Sequence, residues 1–293
     1  MNSRSHTRPE EGHKFVGIIG HPIAQTLSPL MHTAAFEELH LPFVFGVFDV
    51  IEEFLPALVM SLRKQGCAGA SVTIPHKQRI IPLLDEVRDD AAALGAVNTV
   101  VNRNGRLIGF NTDMLGIKEA LEPVRKNIEG SSVLLLGAGG AARAALYAIS
   151  QFFSPKGVRI HNRSKRRASK VVGEFRRLFP SISYETISNN QQLSSEAASA
   201  SLVVNSTSLG MTPLIDTSPL PATVTFSNHQ IIFDIVYNPV ETVLLRRAKL
   251  SGAQTINGVE MFVHQGAHAF ELWTGSRFPI ERARTVVTRA LGV

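Results

Sequence analysis

The chain has 293 residues, of which 44% are hydrophobic and 18% charged, and its formal net charge is +6. This composition is typical of a globular protein and excludes a disordered or fibrous chain, while the length leaves room for two domains. Aromatic residues make up 7% of the chain and the cations are scattered apart from residues 163–167, so the charge indicates one anion-binding cluster rather than a nucleic-acid surface. The single cysteine, Cys67, excludes an intrachain disulfide and a thiolate metal cluster.

Residues 1–14 are polar and of mixed charge, and they lack the apolar stretch of a signal peptide. We therefore expect a disordered tail there. In the remaining sequence, no apolar run approaches the roughly 20 residues that a membrane-spanning helix needs. These features predict a cytoplasmic protein without a membrane partner.

The first half of the chain alternates strand and helix patterns. In chain order the predicted elements are strand Phe15–Ile19, helix Ser28–Glu38, strand Phe43–Asp49, helix Glu52–Gln65, strand Gly69–Thr73, helical pieces Ile80–Leu84 and Asp89–Leu94, a hairpin of Thr99–Asn102 with Leu107–Gly109, and helix Thr112–Leu121. The hairpin is indicated by the Asn-Gly pair at residues 104–105, which favours a tight turn between two short strands.

Polar clusters at residues 26–29, 71–77, 98–99 and 111–113 lie where these strands end or helices begin. Ligands of open α/β sheets bind at the carboxyl ends of strands, and hydroxyls and amides with one lysine and one aspartate suit a small hydroxylated anion. Serine and threonine before a helix are also common caps, and Asn-Thr pairs are common turns, so each cluster taken singly has an ordinary structural explanation. Together, and beside a cofactor domain, the clusters favour a substrate site.

The most informative segment is residues 133–143, where an apolar run turns into glycines and then into a helix-forming sequence. This pattern is typical of dinucleotide binding: Gly137 permits the tight turn, Gly139 lets a pyrophosphate approach the backbone, and Ala142 keeps the helix close to its strand. The helix N-terminus offers free N–H groups and the positive end of the helix dipole to phosphates. A glycine turn can also serve packing alone, but a second strand at residues 158–162 follows after one helix length, as a βαβ unit requires.

The residues after that second strand predict which dinucleotide binds. An NAD site usually places Asp or Glu about 20 residues after the glycines to hold the ribose 2′-hydroxyl, whereas this chain has Asn162-Arg163-Ser164-Lys165-Arg166-Arg167. Guanidinium groups pair bidentately with a 2′-phosphate, which a carboxylate would repel. Cations at a helix N-terminus oppose the helix dipole, and this disfavours the alternative that these residues are merely a solvent-exposed helix start without a ligand. We therefore predict NADP as the cofactor.

Beyond this cluster, Ser181–Ser201 is rich in serine and asparagine and is predicted to be the most loop-like interior region. The elements that follow are strand Leu202–Asn205, strand Ile231–Asp234, helix Thr242–Leu250 and helix Val259–Trp273. On the last helix, His264 and His268 lie four apart with Glu271 one turn later, but the glutamate of a zinc hydrolase motif is missing between them, so we predict no metal site. The alternation as a whole predicts an α/β fold with parallel sheets and right-handed crossovers.

Eight motifs in succession, covering nearly everything from Phe15 to Gly275, resemble the shikimate dehydrogenase family. They are Gly20-His-Pro-Ile-Ala-Gln-Thr-Leu-Ser-Pro-Leu-Met-His32, Val72-Thr-Ile-Pro-His-Lys77, Gly95-Ala-Val-Asn-Thr99, Asn111-Thr-Asp113, Gly137-Ala-Gly-Gly-Ala-Ala-Arg143, Asn205-Ser-Thr-Ser-Leu-Gly-Met211, Asp234-Ile-Val-Tyr-Asn-Pro239 and Asn257-Gly-Val-Glu-Met-Phe-Val-His-Gln-Gly266. So many motifs in the family's order are far more specific than a glycine turn alone.

The resemblance implies two domains with the active site in the cleft between them. One is an α/β substrate domain with a mostly parallel sheet, expected at residues 15–113 and completed by C-terminal helices at 258–293. The other is a Rossmann-type NADP-binding domain, expected at residues 114–257. The implied reaction is the reversible reduction of 3-dehydroshikimate to shikimate with NADPH. We expect a monomer or homodimer without a nucleic-acid partner.

The resemblance also implies roles for particular residues. Thr26 and Ser28 would bind the substrate carboxylate, with Thr73 close by. Lys77, Asn98 and Asp113 would contact the ring hydroxyls, and Tyr237 and Gln265 would close the pocket. The implied cofactor-binding residues are Gly137, Ala138, Gly139, Gly140, Ala141, Asn162, Arg163, Ser164, Arg167, Thr207, Gly258 and Met261.

Two positions depart from the family pattern. Thr26 stands where the family most often has serine, which keeps the hydroxyl but adds a methyl group beside the carboxylate. Ser71 stands where many members have asparagine, which shortens one hydrogen-bond donor. Both could tune the choice between shikimate and quinate, which carries an extra hydroxyl on the carbon that bears the carboxylate.

Hydride transfer to a carbonyl builds negative charge on the substrate oxygen, so a proton or positive charge must be supplied there. Our hypothesis is that Lys77 is the acid/base and that Asp113 orients it; a surface salt bridge is the alternative. Two other functions stay open at this stage. One is a quinate/shikimate dehydrogenase of broader substrate or NAD use, and the other is a non-catalytic nucleotide sensor or nucleic-acid binder, from which Lys77 and Asp113 would be expected to be lost.

Overall fold

A computed structural model describes residues 12–24 and 26–293 of the protein. Most of the predicted tail, residues 1–11, therefore lies outside the described residues, and the first strand begins at Lys14, inside the segment predicted as tail. The chain forms two compact units. The first comprises the chain up to Asn111 with Gly266–Val287, and the second comprises Thr112–Gln265 with Thr288–Val293. The sequence predicts boundaries after residues 113 and 257. In the structure the first boundary lies two residues earlier and the second lies eight residues later. The last six residues belong to the second unit.

The first unit contains a six-stranded sheet in the order β2-β1-β3-β5-β6-β4. Its strands are β1 Lys14–Gly20, β2 Phe43–Asp49, β3 Cys67–Val72, β4 Glu86–Val87, β5 Thr99–Arg103 and β6 Arg106–Phe110. The pairs β1–β2, β1–β3 and β4–β6 are parallel, while β3–β5 and the hairpin β5–β6 are antiparallel. Asn104 and Gly105 have positive φ values of 55° and 90° at the hairpin, as its tight turn requires.

Three helices accompany this sheet: α1 Ser28–Glu38, α2 Leu55–Ser61 and α3 Asp89–Leu94. The predicted helix Glu52–Gln65 is thus shorter in the structure, where a 3₁₀ turn at Glu52–Phe54 leads into α2. Pro56 explains the start, because proline fits only the first turn of a helix. The predicted helical piece Ile80–Leu84 is likewise reduced to a 3₁₀ turn, Ile81–Leu83.

The second unit contains six strands in the order β12-β11-β10-β7-β8-β9, all parallel. They are β7 Ser132–Leu136, β8 Gly157–His161, β9 Ser183–Thr186, β10 Leu202–Asn205, β11 Ile231–Asp234 and β12 Gln254–Ile256. In chain order this is the 3-2-1-4-5-6 arrangement of the Rossmann fold. Buried strands such as β10 read as continuous apolar runs, because helices cover both faces of a parallel sheet.

The helices of this unit are α4 Asp113–Leu121, α5 Arg125–Ile128, α6 Gly140–Phe153, α7 Lys165–Leu178, α8 Asn190–Ser199 and α9 Val243–Leu250. Two further helices, α10 Val259–Thr274 and α11 Ile280–Leu291, end the chain, and parts of both belong to the first unit. Within the part of the chain that is described, no helix is both long and apolar enough to cross a membrane. The predicted α/β class with two domains and mostly parallel sheets is confirmed.

The prediction that Ser181–Ser201 is loop-like is wrong, because β9 and α8 occupy most of it. Tyr184 is buried in β9, and its hydroxyl lies 2.7 Å from that of Ser150. Asn189 caps α8 by accepting a hydrogen bond from Gln192 N at 2.8 Å, and Leu193 and Ala197 are its buried face. Only two of the ten residues of α8 are buried, which leaves little apolar periodicity in the sequence, and for this reason the sequence does not reveal the helix.

The core of the first unit includes a histidine among aromatic rings. His32 of α1 stacks on Phe45, with ring centroids 4.8 Å apart and planes 6° apart, and lies parallel to Phe270. Trp273 meets the same imidazole edge-on and donates Nε1–H to Val100 O at 3.0 Å. Complete burial lowers the pKa of His32 to about 3, so it packs as a neutral ring. These contacts hold α1, which begins at Ser28, against its sheet.

A buried polar network joins the carboxyl ends of β10 and β11. Asp234 accepts hydrogen bonds from Asn205 Nδ2 at 2.9 Å, Thr242 Oγ1 at 2.7 Å and Val236 N at 3.1 Å. Burial nevertheless raises the pKa of Asp234 to about 6, above its unfolded value of roughly 3.9. Because the folded state binds this proton more tightly, the stability that it contributes is present below pH ~4 and is lost as the pH rises through about 6.

We predict that Asp234→Asn removes this pH dependence. Between pH 4 and 6.5, the free energy of unfolding of the wild type should fall relative to that of the variant by up to about 3 kcal/mol. Urea unfolding at several pH values measures the difference. Asp216→Asn, at an exposed position, is the control and should follow the wild type. Parallel curves for wild type and Asp234→Asn would contradict the prediction.

Candidate active site

The first polar cluster follows β1 and opens α1. Thr26 Oγ1 donates to Ser28 Oγ at 3.2 Å and accepts from Ser28 N at 3.3 Å, and Ser28 is buried. The N-cap residue of α1 is Leu27, whose side chain makes no capping bond. The hydroxyls therefore bond to each other beside a helix N-terminus without a side-chain cap, which is a favourable environment for a carboxylate.

The second cluster follows β3. Thr73 N donates to Ile19 O at 2.8 Å, which fixes the turn after β3 to the end of β1. Lys77 is half-buried, and its carbonyl accepts Val97 N at 2.8 Å, while Asn98 O accepts Val72 N at 2.7 Å. The structure thus brings Thr73, Lys77 and Asn98, three predicted substrate residues, onto two adjoining segments of backbone.

The third cluster is divided between the units. Asn111, the last residue of this part of the first unit, is buried and donates Nδ2–H to Ala96 O at 2.9 Å. Asp113 is the first residue of α4 in the second unit and is also buried. A carboxylate in the first turn of a helix is favoured by the helix dipole.

Four predicted residues of the second unit gather around the start of α10. Tyr237 stacks on Phe262 with centroids 4.5 Å apart, and Gln265 Nε2 donates to Phe262 O at 2.8 Å. Burial raises the pKa of the Tyr237 phenol. Gly258 N donates to Val236 O at 3.1 Å, and a Cβ on Gly258 would lie 2.0 Å from Ile235 O, so only glycine fits. Met261 is buried one turn into the helix.

The glycine turn after β7 has the shape that its sequence predicts. Gly137 has φ +119°, and a Cβ there would lie 2.5 Å from Ser206 Oγ. At Gly139, by contrast, a Cβ would meet no described atom within 4 Å, and α6 starts at the next residue, Gly140, without a side-chain cap. Ala138 and Ala141 flank this exposed backbone, whose free N–H groups can receive a phosphate.

The basic cluster follows β8. Asn162 Nδ2 donates to Ser164 O at 3.0 Å, and Ser164 Oγ caps α7 by accepting Arg167 N at 3.4 Å. The side chains of Arg163, Lys165, Arg166 and Arg167 are exposed, and none of these four makes an ion pair with a described residue. Four uncompensated cations at the positive end of a helix dipole are unfavourable without an anion to bind.

Thr207, another predicted cofactor residue, is engaged within its own loop. Its N–H and hydroxyl both donate to Asn205 Oδ1, at 3.0 and 2.7 Å. The neighbouring Ser206 Oγ donates to Leu136 O at 2.6 Å, which holds this loop against the glycine turn. Sequence reasoning does not single out Ser206, although it lies in the motif Asn205–Met211.

A second interaction that the sequence does not reveal is an ion pair between helices. Arg143, the last residue of the glycine motif, is buried in the first turn of α6 and lies 2.6 Å from Glu174 of α7. A cation in the first turn of a helix is the available signal, since it opposes the dipole unless it is compensated.

On α10, His264 Nε2 lies 3.4 Å from Glu260 Oε2. Among the residues that the structure describes, no group of three or more His, Cys, Asp or Glu side chains could hold a metal ion.

Comparisons with known proteins agree with one another. The model of the shikimate dehydrogenase substrate binding domain matches residues 18–100, and that of the shikimate 5′-dehydrogenase C-terminal domain matches residues 258–288. The shikimate dehydrogenase (NADP(+)) of Symbiobacterium thermophilum is 40% identical over 292 residues, which cover 99% of each chain. This chain belongs to the shikimate dehydrogenase family.

Solved structures of shikimate dehydrogenases have the same fold. One in complex with NADP⁺ matches with a TM-score of 0.88 and 33% identity, covering 97% of this chain and 98% of that one. The Thermus thermophilus enzyme in complex with NADP(H) and shikimate matches with a TM-score of 0.83 and 35% identity, covering 95% and 100%. A quinate dehydrogenase of Corynebacterium glutamicum in complex with NAD is also similar, with a TM-score of 0.85 and 29% identity, covering 94% and 99%.

The two glycines of the turn should respond differently to an added methyl group. We predict that Gly137→Ala lowers the free energy of unfolding by about 2 kcal/mol, because it forces a left-handed backbone and crowds Ser206. Gly139→Ala is the matched control and should change it by less than about 0.5 kcal/mol, since its Cβ enters open space. Urea unfolding of both variants tests this, and equal losses would contradict it.

Proposed function

We propose that this protein is an NADP-dependent shikimate dehydrogenase, which reversibly reduces 3-dehydroshikimate to shikimate. The observation that carries the proposal is the pairing of two features in a member of this family. Lys77 and Asp113 are both retained, and the open turn at Gly139 is combined with the uncompensated cations that follow β8. The first supplies acid/base chemistry and the second supplies a place for a phosphorylated dinucleotide.

The substrate carboxylate binds to the hydroxyls of Thr26 and Ser28 in this proposal, with Thr73 close by. The mutual hydrogen bond of Thr26 and Ser28 can be exchanged for bonds to a carboxylate, which is a stronger acceptor. Lys77, Asn98 and Asp113 contact the ring hydroxyls, while Tyr237 and Gln265 close the pocket.

The residues of the second unit fit an NADP molecule. Gly137, Ala138, Gly139, Gly140 and Ala141 present backbone N–H groups to the pyrophosphate, and Asn162, Arg163, Ser164 and Arg167 hold the adenosine 2′-phosphate. Thr207, Gly258 and Met261 bind the rest of the cofactor. Three features support this assignment of NADP: α6 starts without a side-chain cap, Arg163 and Arg167 make no ion pair with a described residue, and no carboxylate follows β8.

NADPH supplies a hydride to the carbonyl carbon when it is bound. Negative charge then develops on the carbonyl oxygen, and Lys77 donates a proton to it from Nζ. Asp113 orients the Lys77 ammonium group. In the oxidation direction, Lys77 accepts the proton of the shikimate hydroxyl.

Quinate is the second candidate substrate. Thr26 and Ser71 bear on the choice, because the added methyl group of Thr26 and the shorter side chain of Ser71 change the carboxylate end, where quinate differs from shikimate by one hydroxyl. The basic cluster argues against NAD but does not distinguish the two acids.

The decisive experiment is one assay with four combinations: shikimate or quinate, each with NADP⁺ or NAD⁺, followed by the absorbance of the reduced nicotinamide. Fast reduction with shikimate and NADP⁺ alone supports the proposal. Comparable rates with quinate or NAD⁺ would instead identify the broader enzyme. If the folded protein shows no reaction in any combination, the remaining function is that of a non-catalytic nucleotide sensor.

We also propose a cytoplasmic enzyme, monomeric or homodimeric, with no nucleic-acid or membrane partner. The single cysteine, which makes no intrachain disulfide, fits a reducing compartment. Light scattering coupled to size exclusion measures the oligomeric state.

Replacing the arginines should change the cofactor preference. We predict that Arg163→Ala and Arg167→Ala each raise KM for NADP⁺ about 10-fold or more and leave KM for NAD⁺ nearly unchanged, because each removes a charge-assisted contact with the 2′-phosphate. Arg177→Ala, on the exposed last turn of the same helix, is the control for net charge. Equal changes of KM for the two cofactors would refute the assignment.

Replacing the proposed acid/base should act on turnover. We predict that Lys77→Ala lowers kcat by about 10²–10⁴-fold, while the Kd for NADPH stays the same. Exposed Lys64→Ala is the control. Steady-state kinetics and a fluorescence titration of NADPH provide the two readouts. A nearly normal kcat with a raised KM for shikimate would show that Lys77 binds the substrate but is not the acid/base.

A further inference from the structure

The carboxyl ends of β1, β2 and β3 are tied into one hydrogen-bonded frame. Val50 N, just after β2, donates to Gly20 O at 3.0 Å. Thr73 N, just after β3, donates to Ile19 O at 2.8 Å, and His21 N donates to Ile74 O at 2.9 Å. Two of these bonds attach the turn that leads to Lys77 to β1 and the residue after it. None of the three bonds joins that turn to the segment after β2.

His76 supplies the missing connection. Its Nε2 lies 2.6 Å from Val50 O, and because a carbonyl can only accept, Nε2 carries the proton. The side chain is completely buried, and the backbone on either side of it is bonded as well: His76 N donates to Thr73 O at 2.9 Å and Ile80 N donates to His76 O at 3.0 Å. One imidazole therefore joins the third strand end to the second.

The choice of histidine at this position needs an explanation beyond packing. His76 Nδ1 is buried and has no hydrogen-bond partner among the described residues, and a buried polar atom without a partner is unfavourable. An apolar ring would fill the same space without that loss. Histidine is favoured here only if the hydrogen bond from Nε2 to Val50 O stabilises the fold by more free energy than the burial of the unpaired Nδ1 loses.

Lys77 is the next residue, and its own carbonyl accepts Val97 N at 2.8 Å. Its Cα is consequently held between two long-range anchors, the His76 side chain on one side and the Val97 amide on the other. We infer that His76 is a positioning residue for Lys77: its bond to Val50 O fixes the backbone from which Lys77 reaches the substrate. This inference rests on the proposed role of Lys77 as acid/base.

The test compares two side chains of similar length. His76→Gln can place its amide Nε2 near the lost imidazole Nε2 and still donate to Val50 O, whereas His76→Met cannot donate. We expect His76→Met to lower kcat about 10- to 100-fold, since small displacements of a catalytic group cost rates of this order. KM for shikimate and Kd for NADPH should change by less than about 3-fold, and His76→Gln should recover most of kcat.

The double variant His76→Met with Lys77→Ala shows whether the effect passes through Lys77. If it does, the double variant is no slower than Lys77→Ala alone, because there is no lysine left to position. Multiplied losses would overturn the inference, as would an unchanged kcat in His76→Met or an equal loss in His76→Gln. If His76→Met is too unstable to fold, His76→Phe fills the site, lacks the donor and enters the same comparisons.

The outcomes also separate this inference from the proposed function. Normal turnover of Lys77→Ala refutes the acid/base role, whatever His76 does. A slow Lys77→Ala beside a fully active His76→Met refutes the positioning role alone. Thermal unfolding of every variant, with Val100→Ala as a buried substitution elsewhere in the same unit, shows whether a loss of stability by itself changes kcat.

Discussion

The architecture of both units depends on the close approach of backbone segments at the carboxyl ends of their strands. A Cβ on Gly20 would lie 2.4 Å from Thr73 Cγ2, one on Gly137 would lie 2.5 Å from Ser206 Oγ, and one on Gly258 would lie 2.0 Å from Ile235 O. Each of these glycines lets a loop after one strand rest against a loop after another. The predicted substrate residue Thr73 and the glycine turn at Gly137 lie in such loops, so their placement depends on positions where no side chain fits.

The buried polar groups of the two units differ in how well their hydrogen-bonding atoms are satisfied. Asp234 accepts three hydrogen bonds and still has a raised pKa, because burial outweighs the bonds. His32 is buried among aromatic rings and is neutral, so it adds packing rather than charge. His76 lies between these cases, with one nitrogen bonded and the other unpaired. Burial and hydrogen bonding thus combine differently at each of these groups, whereas the arginines after β8 are exposed and make no ion pair with a described residue.

Much of the fold could be predicted from the sequence because apolar periodicity and turn residues act locally. Helix Ser28–Glu38 and strands Phe43–Asp49 and Leu202–Asn205 are observed with the predicted bounds, and Asn104-Gly105 forms the predicted hairpin turn. The polar helix α8 is not predicted because only two of its residues are buried, whereas α11 falls within the C-terminal helices expected at residues 258–293 but has no predicted bounds of its own. The roles of the predicted site residues stay predictions. Bonds such as His76 to Val50 could not be foreseen, since they join segments that are distant in sequence, and nothing local specifies their register.

Two basic residues in similar sequence contexts show how the fold separates buried, paired cations from exposed ones. Arg143 and Arg167 both lie in the first turn of a helix, where a cation opposes the helix dipole. Arg143 is buried and compensated by Glu174, so it joins α6 to α7. Arg167 is exposed and makes no ion pair with a described residue, so its charge is available to an anion. The same pair links the two roles: Glu174 lies on the helix that begins with the basic cluster, and Arg143 lies on the helix that begins at the glycine turn. The ion pair therefore joins the helix that begins at the glycine turn to the helix that begins with the basic cluster, the two segments proposed to bind NADP.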